Sequence, residues 1–190
     1  MHKYILLSFF SAVLAIAQPR LIVSGPATAY PGQTVDVVIS ISGAAPLSAV
    51  QWSQIPVAPF KPIQPAVPNK SVFCGSSLCL AVGSINGSFN ATPMQDGPLQ
   101  AVSYTVLATT PIGATLTLST SGFGADPVGS EVAVSSTPLT ITVTAHPFDR
   151  NGDGKVDSLD FDAAVTAWQG SQSKADAISL ISLVVYLSRP

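Results

Sequence analysis

The stretch from Thr34 to Ser42 constrains the fold more than any other part of the chain. Val35, Val37, Ile39 and Ile41 point one way, Thr34, Asp36, Ser40 and Ser42 the other, and Val38 is the one apolar exception. A period of two is the signature of a strand with one face in a core and the other in water. The pattern recurs. From Leu99 to Leu107, Val102, Tyr104 and Val106 alternate with Ser103 and Thr105; Thr115 to Ser119 alternates through Leu116 and Leu118; Leu139, Ile141 and Val143 alternate with Thr140, Thr142 and Thr144. Shorter apolar runs lie at Leu21 to Ser24, Ala49 to Trp52, Ser71 to Phe73, Leu78 to Val82 and Glu131 to Val134. Turns are expected at Gly25-Pro26, Pro31-Gly32, Gly43 to Pro46 and over the turn-rich stretch Gly122 to Gly129. Eight or nine short strands with no helical period between Leu21 and Ala145 predict a mainly β fold, a β-sandwich over residues 20–145.

The first seventeen residues read differently. Met1-His2-Lys3 is followed by an apolar run from Tyr4 to Ile16 and by Ala15-Ile16-Ala17. A basic start, a short apolar core and a small-residue site predict a secretory signal peptide, residues 1–17, cleaved after Ala17. The run is too short for a membrane span, which needs roughly 20 apolar residues. A secreted, extracellular or cell-surface protein is the expectation. In that oxidising setting Cys74 and Cys79, separated by Gly75-Ser76-Ser77-Leu78, are expected to close a local disulfide that pins a turn, against the alternative of two thiols. Pro56, Pro59, Pro62, Pro65 and Pro68 recur every third residue, which suits an extended polyproline II connection over the surface. The eight basic residues are scattered and the net charge is −2, which argues against a nucleic-acid partner.

The strongest chemical signal follows the last strand. Asp149-Arg150-Asn151-Gly152-Asp153-Gly154-Lys155-Val156-Asp157-Ser158-Leu159-Asp160 reads as a twelve-residue loop with oxygen side chains at positions 1, 3, 5, 9 and 12. Gly154 falls at position 6, where a calcium loop of the EF-hand type turns sharply, and the backbone carbonyl of Lys155 would supply position 7. Five of the ten acidic residues lie between Asp149 and Asp162. The metal-ligand set predicted for Ca²⁺ is Asp149, Asn151, Asp153, Lys155, Asp157 and Asp160. A helix is expected from Ser158 to Gln169, ended by Gly170, and a second, apolar helix from about Ala177 to Leu187. His146-Pro147-Phe148 is too short for a linker, so the two parts should pack together.

Two resemblances complete this reading. Gly25-Pro26, Pro31-Gly32-Gln33-Thr34-Val35, Ser48-Ala49-Val50-Gln51-Trp52, Asp96-Gly97-Pro98-Leu99, Thr110-Pro111-Ile112-Gly113 and Gly129-Ser130-Glu131-Val132 together resemble a cohesin module, over roughly Leu21 to Thr144. That resemblance implies a jelly-roll β-sandwich that binds a protein partner. Asp149 to Asp160, with Asp at its last position, and the ending Val184-Val185-Tyr186-Leu187 resemble a dockerin segment, residues 148–190, with one calcium loop and two helices. The dockerin likeness implies partner reading near Ser158 and Leu159. The second loop of that family is absent: Ser171 to Asp176 offers a single carboxylate.

No catalytic constellation stands out. His146 is the only histidine beyond the signal segment, and no nucleophile elbow or carboxylate pair is evident outside the loop. The expected function is a secreted, non-catalytic interaction or scaffolding module with an extracellular dockerin- or cohesin-type partner, plausible near polysaccharide-degrading assemblies. The alternative is a carbohydrate-binding module on the same sandwich, with Trp52, Tyr104 and Tyr30 as sugar-stacking candidates. A third reading is a structural extracellular protein that calcium merely stabilises.

Overall fold

The computed structural model describes residues 18–53, 60–61, 70–75, 78–82, 84–85, 88–89 and 91–189. The expected signal peptide and the five regularly spaced prolines lie outside the described residues.

The alternating segment forms β3 (Thr34–Ser42) with the register its pattern demands: Val35, Val37, Ile39 and Ile41 are buried. It lies between β1 (Arg20–Ser24) and β10 (Gly97–Thr105), antiparallel to both. β1 in turn pairs in parallel with β13 (Glu131–Thr137), and β13 pairs antiparallel with β12 (Gly122–Ala125). Next come β4 (Ala49–Ser53), β7 (Leu78–Val82) and, at the edge, β6 (Ser71–Cys74). With β5 (Phe60–Lys61) beyond β10, these nine strands make one long sheet in the order β5-β10-β3-β1-β13-β12-β4-β7-β6. A second sheet, β11-β14-β2, joins β11 (Thr115–Leu118), β14 (Leu139–Val143) and β2 (Thr28–Ala29). A small hairpin pairs β8 (Ser84–Ile85) with β9 (Ser88–Phe89).

The two main sheets share one core. Leu21, Val37, Ile39, Leu47, Val50, Trp52 and Leu99 from one side meet Ala29, Leu118, Ile141 and Val143 from the other. The architecture is therefore a mainly β sandwich followed by two helices. Trp52 is fully buried, and its indole N–H donates to the equally buried Gln100 side-chain oxygen at 2.9 Å. A buried amide must find such a partner or forfeit its hydration energy.

Two expectations are corrected. Gly122 to Ala125 is a strand, not a turn. Its glycines are there because the backbone runs against the core: a Cβ on Gly122 would land on the Gln51 carbonyl oxygen and within 2.9 Å of Leu21 Cδ1, and one on Gly124 would strike the Leu47 side chain. Gly170 does not end the first helix. α1 (Ser158–Ser171) runs through it and stops at Gln172, whose left-handed φ of 48° lets its N–H donate to the Trp168 carbonyl. The second helix, α2 (Lys174–Leu187), starts three residues earlier than expected because Ser173 caps it, accepting from the Asp176 N–H.

The expected disulfide is present: Cys74 and Cys79 face each other at the end of the β6–β7 hairpin. The helices adjoin the sandwich through aromatic rings. Tyr30 meets His146 edge-on at 4.1 Å, His146 lies 4.9 Å from Tyr186, and Phe148 lies 5.3 Å from Tyr186. His146 Nδ1 accepts from the Phe148 N–H, which fixes the ring at the junction.

Gly122→Ala should lower stability by about 2 kcal/mol or more, because the methyl group meets backbone that cannot yield. Thermal unfolding of the variant measures this; a melting temperature equal to the parent's would contradict the packing described for β12.

Candidate functional site

The loop between β14 and α1 is built from side-chain-to-amide turns, each following from an Asp or Asn two to five residues before the N–H it accepts. Asp149 accepts from Gly152 at 2.8 Å and from Gly154 at 2.9 Å, one on each carboxylate oxygen. Asn151 accepts from the Asp153 N–H at 3.0 Å, Asp153 from the Lys155 N–H at 2.9 Å, and Asp157 from the Leu159 N–H at 2.8 Å. Gly152 and Gly154 take φ of 77° and 86°, the left-handed region where a side chain is disfavoured. The position-6 glycine thus makes the turn the sequence predicted.

Asp160 ties the loop together. It is completely buried. One of its oxygens accepts from the Arg150 and Asn151 N–H groups at 2.6 and 3.2 Å, and the other accepts from the Asp157 N–H at 2.8 Å. Asp157 is the N-cap of α1, and its reciprocal bonds with Asp160 form a capping box. The carboxylate that ends the loop therefore starts the helix and holds the loop's first turn. Burial alone pushes the Asp160 carboxyl up; the amides of Asp157, Asn151 and Arg150, with His146 nearby, outweigh it and hold the acid below the usual carboxylate range. Burial lowers the His146 imidazole, against the opposing pull of Asp149 and Asp160.

All six predicted ligand residues lie on this loop. Asn151, Asp153 and Lys155 are exposed, while Asp149 and Asp157 are half-buried. The donor set is all oxygen with four carboxylates, the chemistry of a hard cation, and each carboxylate keeps lone pairs beyond the amides it accepts. The side chains do not form a closed cage: among the described residues, no three of His, Cys, Asp and Glu converge closely enough to hold a metal ion.

Three further features escaped the sequence reading. Arg150, a non-ligand position, donates through Nη2 to Ser179 Oγ on α2. Where a second loop would lie, the Asp176 carboxylate accepts from the Ser171 and Ser173 hydroxyls, the latter at 2.7 Å, linking the end of α1 to the start of α2. Those two bonds, against slight burial and with help from Arg150, hold Asp176 below the usual carboxylate range.

The third feature is on the sandwich. Register places Phe73, Leu80, Gln51, Phe123 and Ala133 side by side across β6, β7, β4, β12 and β13, all on the face turned away from the core. Phe73 is 61% exposed and Phe123 46%. Leu78 and Ser53 form the neighbouring row, and Glu131 is the one charged residue among the described outward positions of these strands. The outer face of an antiparallel sheet is ordinarily polar, so this row marks a candidate docking surface. Sequence alternation could not show it, because Leu78 to Val82 is apolar on both faces.

The proposed sugar-stacking residues are corrected here. Trp52 is sealed in the core, Tyr104 is half-buried against it, and Tyr30 is engaged with His146. They do not form a platform.

No family model and no curated protein matches the chain. Among solved structures, the chain is similar over 67% of its length to the crystal structure of the major pilin subunit of Bacillus cereus, with 12% sequence identity and a TM-score of 0.43. It spans 40% of that pilin chain. Among the described residues, no helix is long and apolar enough to cross a membrane.

Asp160→Ala should destabilise the chain by about 2 kcal/mol even in calcium-free buffer, since three amide N–H groups lose their acceptor and α1 loses half its capping box. Thermal unfolding in EGTA, with the helical circular-dichroism signal followed separately, checks this. An unchanged melt would mean that the carboxylate does not organise the loop.

Proposed function

We propose that the chain is a secreted, non-catalytic interaction module, in which a cohesin-like jelly-roll sandwich docks an extracellular protein and a dockerin-like C-terminal segment is stabilised by one Ca²⁺. The observation that carries the docking reading is the uncharged row Phe73, Leu80, Gln51 and Phe123 on the outer sheet face. Aromatic and aliphatic side chains presented on a rigid sheet are the material of interface hot spots, and the near-absence of charge removes the desolvation penalty that a polar face would impose.

In the calcium reading, Asp149, Asn151, Asp153, Asp157 and Asp160 supply side-chain oxygens and Lys155 its backbone carbonyl. The ion would neutralise four carboxylates that repel one another without it, and its binding energy becomes stability of the loop and the helices it caps. The loop amides already hold Asp149 and Asp160 in place. That supports a structural clamp over a switch, because little ordering is left for the ion to drive.

Calcium is tested by melting. Saturating Ca²⁺ should stabilise the wild-type chain, by about 3 kcal/mol at a hundredfold excess over Kd, and Asp153→Ala should abolish the gain. A wild-type melt indifferent to Ca²⁺ would end the metal assignment.

Docking is tested by pull-down with dockerin-bearing extracellular enzymes alongside retention on insoluble polysaccharide. Retention of a protein partner, lost in Phe123→Glu, is expected. Retention on glycan lost with the same substitution would instead give the face to a carbohydrate, with Phe73 and Phe123 as its stacking rings.

A further inference from the structure

A second uncharged surface lies on α2. From Ala177 to Ser188 the helix carries no charged residue. Ile178, Ile181 and Val185 stand at i, i+3 and i+7, the spacing of one helical stripe, on the side opposite the buried Leu183. Ile181 is 64% exposed. A cation flanks the stripe at each end: Lys174, one turn before Ile178 on the helix, and Arg189, two residues past the end of α2 and beside Val185. It forms an apolar strip bracketed by positive charge.

Charge selects its occupant. Two copies of the stripe repel each other in either direction: a parallel pair sets Lys174 on Lys174, and an antiparallel pair sets Lys174 against Arg189. Two copies of the sheet face form no charge pair, since the only charge either offers is Glu131. The stripe and the sheet face, by contrast, are complementary, since one is apolar with flanking cations and the other apolar with a single anion, Glu131. Their extents also agree. Lys174 to Leu187 rises about 20 Å along the helix, and Phe73 to Ala133 crosses four strand spacings, about 19 Å. Both surfaces are exposed in the same molecule, so the helix does not cover its own sheet.

We infer that the α2 stripe of one copy docks on the β12–β4–β7–β6 face of a second copy of this chain. The inference rests on the reading of that face as a docking surface and names its partner. The contact is heterologous: each copy uses one surface as donor and the other as acceptor, leaving one of each free at the ends. Such a contact propagates into an open chain, or a ring where the rotation closes. Glu131 reaches Lys174 or Arg189 of the neighbouring copy, whichever end of the stripe lies over β13.

The test is sedimentation velocity on the full chain, produced in an exporting host and kept in Ca²⁺ buffer, from low to high micromolar concentration. Wild type should grow past a dimer as concentration rises. Ile181→Glu and Phe123→Glu should each be monomeric alone, because each has lost one of the two surfaces. An equimolar mixture of the two should form a dimer and stop there, because each variant keeps the surface the other lacks. That rescue also shows that both variants are folded. Glu131→Lys should weaken association about three- to fivefold, the size expected of one exposed charge pair. Wild type that stays monomeric throughout, or a Phe123→Glu variant that still self-associates, would overturn the inference. If wild type is monomeric yet captures a foreign protein through Phe123, the docking face stands and only the identity of its partner fails.

Discussion

The C-terminal loop and helical pair of this molecule depend on one buried carboxylate. Asp160 accepts three backbone N–H groups drawn from both ends of a twelve-residue loop, and it completes the cap of the helix that follows. An ionised group is tolerable in a buried position only when hydrogen bonds replace the lost water. Here they do so well enough that the acid is held below its ordinary range despite burial. The loop, the start of α1 and, through Arg150, the contact with α2 all follow from its placement. The aromatic cluster of Tyr30, His146, Phe148 and Tyr186 then joins this unit to the sandwich.

How much was legible depended on whether one residue's environment was set by its near neighbours. The boundaries of β3 could be read directly, because its alternation is a local consequence of one wet and one dry face. The loop was legible for the same reason: Asp149, Asn151 and Asp153 each bond an amide a few residues on. β12 was not. Gly122 and Gly124 look like turn residues, and only the nearness of Gln51, Leu21 and Leu47, far away in sequence, shows why they are glycines. Trp52 failed in the same way. An aromatic in a strand suits either a core or a sugar platform, and the choice was made by Gln100, a partner 48 residues distant. Gly170 misled through a real statistical preference that the serine–carboxylate bonds between the helices override.

The sandwich and the helical pair share one problem. Each has more apolar surface than its own core can absorb. In the sandwich the excess lies on the outer face of β12, β4, β7 and β6; in the helical pair it lies along α2, of which only Leu183 is buried. Excess of that kind is a liability in isolation and an asset in an assembly. The two excesses differ in the sign of the charge at their margins, which makes them partners for each other and poor partners for themselves.

The Cys74–Cys79 bridge has a bearing on permanence. Phe73 and Leu80 oppose each other one position inside the crosslink, at the edge of the sheet, and they begin the apolar row. Edge hairpins slip in register more easily than central strands, and a slip by one residue would turn both side chains to the other face. The covalent bond forbids that slip, and it forms only where thiols are oxidised. The bridge thus locks the register of this edge hairpin only where such oxidation can occur, which ties the permanence of the row to the redox state of its surroundings.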